Sequence, residues 1–400
     1  MTTTRRQEAP KEEGSVHSGS TKEEVGSKRD ASGLGVTKTE EASQEESPTK
    51  KARTEESENK EGEENKGKTR KYARQTGTIE RGHIYFFYRP KVMLEEVHSL
   101  DEVKNMHMLL VPRPPQFSTH TGARKSGKMD NEEDDTAEAE MEVLARGADA
   151  ISATADLDTQ GKHYRLITVG KKHLPDPEGG GPGKGRKETF WATVSDIGDD
   201  LRRLEQGLGE REYETKTRGT RHEDPARLAA RGAYAIVNND PEIPSKRATH
   251  FGYHISHPSE PGAVQEALGI GKAASFVLQV KNPLAPATDA RQPRGKGAEY
   301  PIDVLRNVFG KGGAKGRESY GLRFASCEIP ELLEYKGAQI LLIAARGGEE
   351  GLETSLGEGR GIALEELEER ESRETIETVF RELDVDTSVF PPEPLEGKWI

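Results

Sequence analysis

Cysteine is almost missing from this 400-residue sequence: Cys327 is the only one. A disulfide within one chain is therefore excluded, and an intracellular setting is the expectation. Aromatic residues are scarce at 6%, and the hydrophobic types together reach only 32%, with a mean hydropathy of −0.85. A chain so poor in core-forming residues is not expected to fold along its whole length. Long apolar runs are also lacking: none approaches the ~18 residues of a membrane span. The opening MTTTRRQEAPKEEGS has no apolar core, so it does not read as a secretory signal.

Charge is abundant but unevenly placed. The formal net charge is −12. Residues 1–76 balance, with 16 Lys/Arg against 16 Asp/Glu, whereas residues 347–400 carry 5 against 16. The stretch between them is close to neutral, so it offers no bulk basic field to draw in nucleic acid, and any anion site there must be local.

The first 76 residues are rich in Glu, Lys, Ser, Thr and Gly, and cannot bury enough apolar surface to offset chain entropy. They read as a disordered charged tail. Lys50, Lys51 and Arg53 form a short basic cluster of the nuclear-import type beside Ser47-Pro48, and a second cluster runs from Lys66 to Arg74.

Order is expected to start at RGHIYFFYRPKV, where Ile84, Phe86 and Tyr88 alternate with Tyr85 and Phe87, giving a strand apolar on both faces. Further strands are expected at 107–111, 163–169, 189–194, 232–237, 249–255, 274–280, 320–326 and 338–344. Short helices are expected at 199–206, 263–268 and 302–309, with a single turn near 330–334. Residues 113–160 read as a low-complexity insertion, and 175–188, 282–300 and 310–319 as loops. Arg81-Gly82 and Arg231-Gly232 each open an aromatic-apolar strand followed by a second strand that begins near a His and ends in Pro. This weak repeat suggests units at 77–222 and 230–346. Beyond 346 an acidic tail carries a broken apolar stripe of Leu364, Leu367, Ile376, Val379, Phe380 and Leu383, read as one amphipathic helix over 362–383. Trp399 and Ile400 look like an exposed docking anchor. The expected architecture is an α+β, β-dominated body from about 77 to 346, divided into two related lobes if the repeat is real, between a disordered N-terminal tail and an acidic, partly helical C-terminal one.

The stretch YETKTRGTRHEDPAR concentrates Lys216, Arg218, Arg221 and His222 around Gly219, with hydroxyls at Thr217 and Thr220. Backbone N–H groups freed by a glycine, together with cations and hydroxyls, make a cradle for phosphate or carboxylate. A solvated loop whose cations are offset by Glu212, Glu214, Glu223 and Asp224 is the competing reading. His250 and His254 share a strand face but stand ~13 Å apart by strand rise, too far for one ion. No metal and no cofactor is expected. GGGPGKGRKETF departs from the phosphate-loop pattern at Arg186, and RGHIYFFY only partly overlaps an RNA-binding strand. No nucleophile elbow, Cys–His or H-E-x-x-H signature occurs.

Several blocks taken together, in order, carry a family resemblance: Gly82 with Tyr85-Phe86-Phe87 and Arg89; Lys171-Lys172 with Leu174-Pro175; Thr215-Lys216-Thr217 with Gly219-Thr220-Arg221-His222; Tyr234-Ala235-Ile236; Ser275-Phe276-Val277; Lys281-Asn282-Pro283; and Gly321-Leu322-Arg323 with Tyr335. Over about 80–345 the chain resembles a family of uncharacterised fungal proteins, some labelled "BTB domain transcription factor". That label implies a helix-rich dimerisation module, whereas the residues themselves read as mostly strand. The resemblance brings no activity with it, but adds Lys281, Asn282 and Arg323 to the candidate anion-binding set of Lys216, Thr217, Arg218, Thr220, Arg221 and His222.

The leading expectation is a non-enzymatic interaction protein, nuclear or nucleocytoplasmic, that recognises an acidic or phosphorylated protein or a small anionic ligand through the 216–222 loop. One alternative is an enzyme acting on a phosphorylated small molecule, with the same loop as the phosphate grip and His222 as acid/base. A second is a transcription-related protein with weak nucleic-acid binding through its basic clusters. No membrane partner is expected, and the sequence leaves the oligomeric state open.

Overall fold

The computed structural model describes residues 74–115, 145–153, 163–181, 185–217, 219–287, 292–293, 295–310, 320–385 and 390–400. Residues 1–73 of the expected N-terminal tail, with Lys50, Lys51 and Arg53, most of the 113–160 insertion, and Arg218 lie outside the described residues.

Strands β1 (Gly77–Pro90), β2 (Val103–Pro112), β3 (Tyr164–Val169) and β4 (Thr189–Gly198) form an antiparallel meander. Strands β5 (Arg211–Thr215) and β6 (Gly219–Glu223) make a separate two-stranded ribbon. A second meander uses β7 (Arg227–Asn238), β8 (Thr249–His257), β9 (Ala273–Lys281) and, after the short β10 (Phe324–Ser326), β11 (Gln339–Gly347). β1 pairs with β7 and β4 with β11, so eight antiparallel strands close into a barrel, with β10 added beside the end of β9. Closure removes the free sheet edges of the eight strands.

The two meanders meet in a matched way. At one seam His83 pairs with Ala233, and at the other Ala192 pairs with Ile340. Arg81-Gly82 and Arg231-Gly232, the starts of the sequence repeat, therefore occupy corresponding places in β1 and β7. Each glycine is there for the same reason. A Cβ on Gly82 would lie 2.2 Å from the Val111 carbonyl oxygen, and one on Gly232 would lie 2.1 Å from that of His254. The meanders enclose one core, so the expected division into two lobes is replaced by a single barrel. Its strand-rich build follows the residue pattern rather than the helix-rich module that the family label implies.

Strand alternation explains the two-sided burial. Ile84, Phe86 and Tyr88 of β1, Met106, Met108 and Leu110 of β2, Tyr234 and Ile236 of β7, Phe251 and Tyr253 of β8 and Phe276 and Leu278 of β9 share one continuous cluster, which can only be the barrel interior. A void of about 10 Å³ is left beside Met108, Phe251 and Leu333. Leu332 and Leu333 of a 3-10 turn (Pro330–Leu333) stop one end. At the other end Trp399 packs edge-on against Tyr88, with ring centroids 5.4 Å apart, and the Ile400 carbonyl accepts from the Val97 N–H. The expected docking anchor thus docks on its own chain.

The outer faces are covered by helices. Helix α1 (Leu204–Leu208) follows β4; α2 (Ala263–Leu268) and α3 (Ile302–Asn307) sit in the second meander's connections. The acidic C-terminal stretch is no free tail: α4 (Gly348–Leu356), α5 (Arg360–Glu371) and α6 (Ile376–Glu382) wrap the barrel. Leu352, Leu356, Leu364 and Leu367 cover Ala233, Ala235 and Val237 on the outside of β7. Val379, Phe380, Leu383, Phe390 and Leu395 join Leu204 and Leu208 over Tyr85, Phe87 and Leu109. The single helix expected over 362–383 is broken, because Thr375 leaves the helical backbone and its side chain caps α6 by accepting from the Thr378 N–H.

Candidate functional site

The 216–222 stretch is the outer part of the β5–β6 hairpin. Its base is fixed to the barrel. Glu223 is buried and accepts from Lys104 Nζ at 2.7 Å, with Arg89 Nε at 3.6 Å. Arg89 also donates to the carbonyls of Gly207, Gly209 and Asp224 at 3.0, 3.1 and 2.7 Å. The Met93 N–H, on an exposed loop, reaches the His222 carbonyl at 3.3 Å. Beyond this base the ribbon stands in solvent: Lys216, Thr217, Gly219 and Thr220 are exposed. Gly219 takes φ +69°, a left-handed turn conformation that suits glycine, and the Thr215 hydroxyl closes the turn by donating to the Gly219 carbonyl at 3.0 Å.

Register sorts the hairpin's charges by face. Tyr213 opposes Arg221, while Glu212 opposes His222 and Glu214 opposes Thr220. Side chains of opposed residues share a face and alternate along the strand. One face therefore carries Tyr213 and Arg221, and the other carries Glu212, Glu214, Thr220 and His222. Among the described residues no ion pair engages Lys216 or Arg221. Tyr213 is 41% exposed. His222 departs from the expected cationic set. Its Nδ1 lies 3.1 Å from Glu210 and 3.8 Å from Glu212, and its Nε2 lies 3.1 Å from Asp224.

Lys281, Asn282 and Arg323 come together, but at the opposite end of the barrel. The hairpin leads into the start of β7, which lies with the start of β9, whereas Lys281 closes the far end of β9. Lys281 is buried and donates to the carbonyls of Asn282 and Ala285 at 3.1 and 2.7 Å. Asn282 Nδ2 donates to the Leu322 carbonyl at 2.9 Å, and Arg323 reaches the Tyr320 hydroxyl at 3.3 Å. Burial lowers the Lys281 amine below its ordinary value, and the charge of Arg323 adds to the shift. Lys281 lines a cavity of about 460 Å³ with Pro283, Ala285, Gln292 and Gln339. The sequence-picked cations therefore form two separate sites.

The histidines of β8 are taken up by packing. His254 Nε2 pairs with Glu349 at 3.3 Å, and His257 Nε2 meets the Glu374 carbonyl at 3.0 Å. Burial lowers His250, as it does His107 of β2, brought down to about 3. Sequence reasoning missed Tyr213, although the alternation of YETKT across from TRH carries the signal. It also missed Arg231, fully buried against Glu368, Glu371 and Glu382 of the C-terminal helices. Only the fold brings those residues to it. Comparison with protein-family models, curated proteins and solved structures finds no match to this chain.

Proposed function

We propose that this chain is a binding protein that docks an acidic or phosphorylated protein segment on the β5–β6 hairpin. The observation that carries the reading is the exposed Tyr213 beside the half-buried Arg221, with exposed Lys216 at the tip, cations that no acid of the chain engages among the described residues. Elsewhere the guanidinium groups of Arg89, Arg165, Arg231 and Arg360 are committed to buried or half-buried carboxylates. Tyrosine and arginine are the side chains that most often dominate binding energy in protein interfaces, since both combine flat contact area with polar ends. Thr217 and Thr220 add hydroxyl donors. The import-type cluster Lys50, Lys51 and Arg53 supports a nuclear or nucleocytoplasmic setting on sequence grounds alone. Fluorescence anisotropy with labelled Asp/Glu-rich peptides, with and without phosphoserine, tests the docking. Binding that weakens with salt and falls at least about tenfold in Lys216→Glu/Arg221→Glu is the expected result. Equal binding by the variant overturns the reading.

A second reading rests on the Lys281 cavity, whose volume suits a small molecule. There Lys281, with Arg323 nearby, would hold a small anion such as a sugar phosphate. A thermal-shift screen over nucleotides and sugar phosphates checks it: a rise of several degrees that disappears in Lys281→Gln supports this site, by mass action on the folded state.

A further inference from the structure

We propose that Glu210, Glu212 and His222 bind a divalent transition-metal ion of the zinc type at the base of the β5–β6 hairpin. The proposal stands apart from the docking reading and does not need it.

The geometry is set by register. Glu212 and His222 are directly opposed in the ladder, so their side chains share a face, and Glu210, just before β5, brings its carboxylate to the same ring. One ligand atom from each of the three falls within 4.8 Å of the others, and no other such grouping with a histidine occurs among the described residues. His222 Nδ1 is 3.1 Å from a Glu210 oxygen and 3.8 Å from a Glu212 oxygen. Ligands held at ~2.0–2.2 Å around a tetrahedral ion lie about 3.3–3.5 Å from one another. The two distances from Nδ1 bracket that spacing, and all three atoms lie within 4.8 Å of one another, so small side-chain rotations bring them around one ion.

The other ring nitrogen supplies an independent indication. Nε2 faces an Asp224 oxygen at 3.1 Å, and Asp224 is the more buried partner, at 17% side-chain exposure. A carboxylate placed beside the far nitrogen is the usual outer support of a metal-bound imidazole. Nδ1, the nitrogen left for the ion, has the Glu210 and Glu212 carboxylates beside it. An arrangement of one lone pair and two anionic oxygens is satisfied by a cation placed between them. One imidazole with two carboxylates suits zinc better than calcium or magnesium, which take six or more oxygen ligands or keep most of their waters.

A bound ion would also change the hairpin. A two-stranded ribbon is marginal by itself. An ion joining β5 to β6 would clamp it and neutralise Glu210 and Glu212.

The test uses the full chain, titrated with Co²⁺ by visible absorption and with ZnCl₂ by calorimetry. Expected is one site of micromolar affinity with the intense visible bands of tetrahedral Co²⁺. In His222→Ala and in Glu212→Gln that site weakens at least about tenfold while the far-UV circular dichroism stays unchanged, as substitutions on an exposed ribbon should allow. The same uptake in wild type and His222→Ala means adventitious ions on other side chains and overturns the proposal. So does an absence of binding at millimolar Zn²⁺.

Discussion

Arg231 shows most directly how single residues hold this molecule together. Its side chain is fully buried and faces three carboxylates of the C-terminal helices: Glu371 in direct contact, Glu382 at 3.1 Å and Glu368 at 3.7 Å. His83 adds a contact to Glu371 at 3.5 Å, and the Tyr85 hydroxyl donates to Glu382 at 2.8 Å. The three acids do not behave alike. Burial by itself pushes Glu371 up, but its bonds to His83 and Arg231 outweigh burial and bring it to about 2. Glu382 is lowered for a similar reason, the charge of Arg231 overcoming burial. Glu368 goes the other way: burial raises it well above the ordinary carboxyl value, and neither of its oxygens has a hydrogen-bond partner among the described residues. The signs follow by linkage. Glu371 contributes stability above the ordinary carboxyl value, and that contribution is lost as pH falls toward about 2. Glu368, raised on folding, contributes most below the ordinary carboxyl value and loses that contribution as pH rises. Replacing Glu368 by Gln, which keeps the shape and removes the titration, should therefore stabilise the fold by about 1–3 kcal/mol at pH 8. The gap should close near pH 4. Denaturant unfolding of both proteins across that range checks it; a variant less stable at pH 8 would show that Glu368 is an ionised partner of Arg231 after all.

At the scale of elements, the two Arg-Gly strands depend on close backbone approach. A methyl at Gly232 or Gly82 would strike a carbonyl of the next strand, and neither backbone can yield without opening the ladder. Gly232→Ala and Gly82→Ala should each cost about 3 kcal/mol, at the upper end for single substitutions. Gly180→Ala, where nothing lies within 4 Å, should be close to neutral in the same urea titration. The strands themselves were largely legible in the sequence, because β1 and its partners are apolar on both faces and stand out as short aromatic runs between glycines and prolines. The β5–β6 ribbon was not, since it buries little and its alternation is one of charge rather than hydropathy. Helix α4 also escaped notice, as GEEGLETSL opens on glycines and offers only Leu352 and Leu356 to the core. Of the candidate site, the cationic residues of the tip were legible as composition. Their separation from Lys281 and Arg323 was not, because it depends on strand direction around a closed barrel. The engagement of His222 by Glu210, Glu212 and Asp224 needed the register as well.

For the whole molecule, the C-terminal wrap is the decisive addition to the barrel. All three acids facing Arg231 belong to residues beyond 347, and so do Val379, Phe380, Leu383, Phe390 and Leu395, which help to cover Tyr85 and Phe87 outside β1. A chain ending at Gly347 would bare that apolar surface and leave Arg231 without a counter-charge, a combination that typically costs several kcal/mol. It should elute as aggregate and lose its cooperative melting transition. A soluble monomer melting within a few degrees of the full chain would show that the barrel stands alone. The seams have a different consequence. His83 faces Ala233 and Ala192 faces Ile340, so each half of the barrel meets the other through corresponding strands. Two identical four-stranded chains, placed about a twofold axis through those two pairs, would complete the same closed ring without any connection between them. The β5–β6 ribbon lies in the link between the two halves and the helical belt follows the second, so neither has a counterpart across the seams, and they make the two halves unequal in their surroundings.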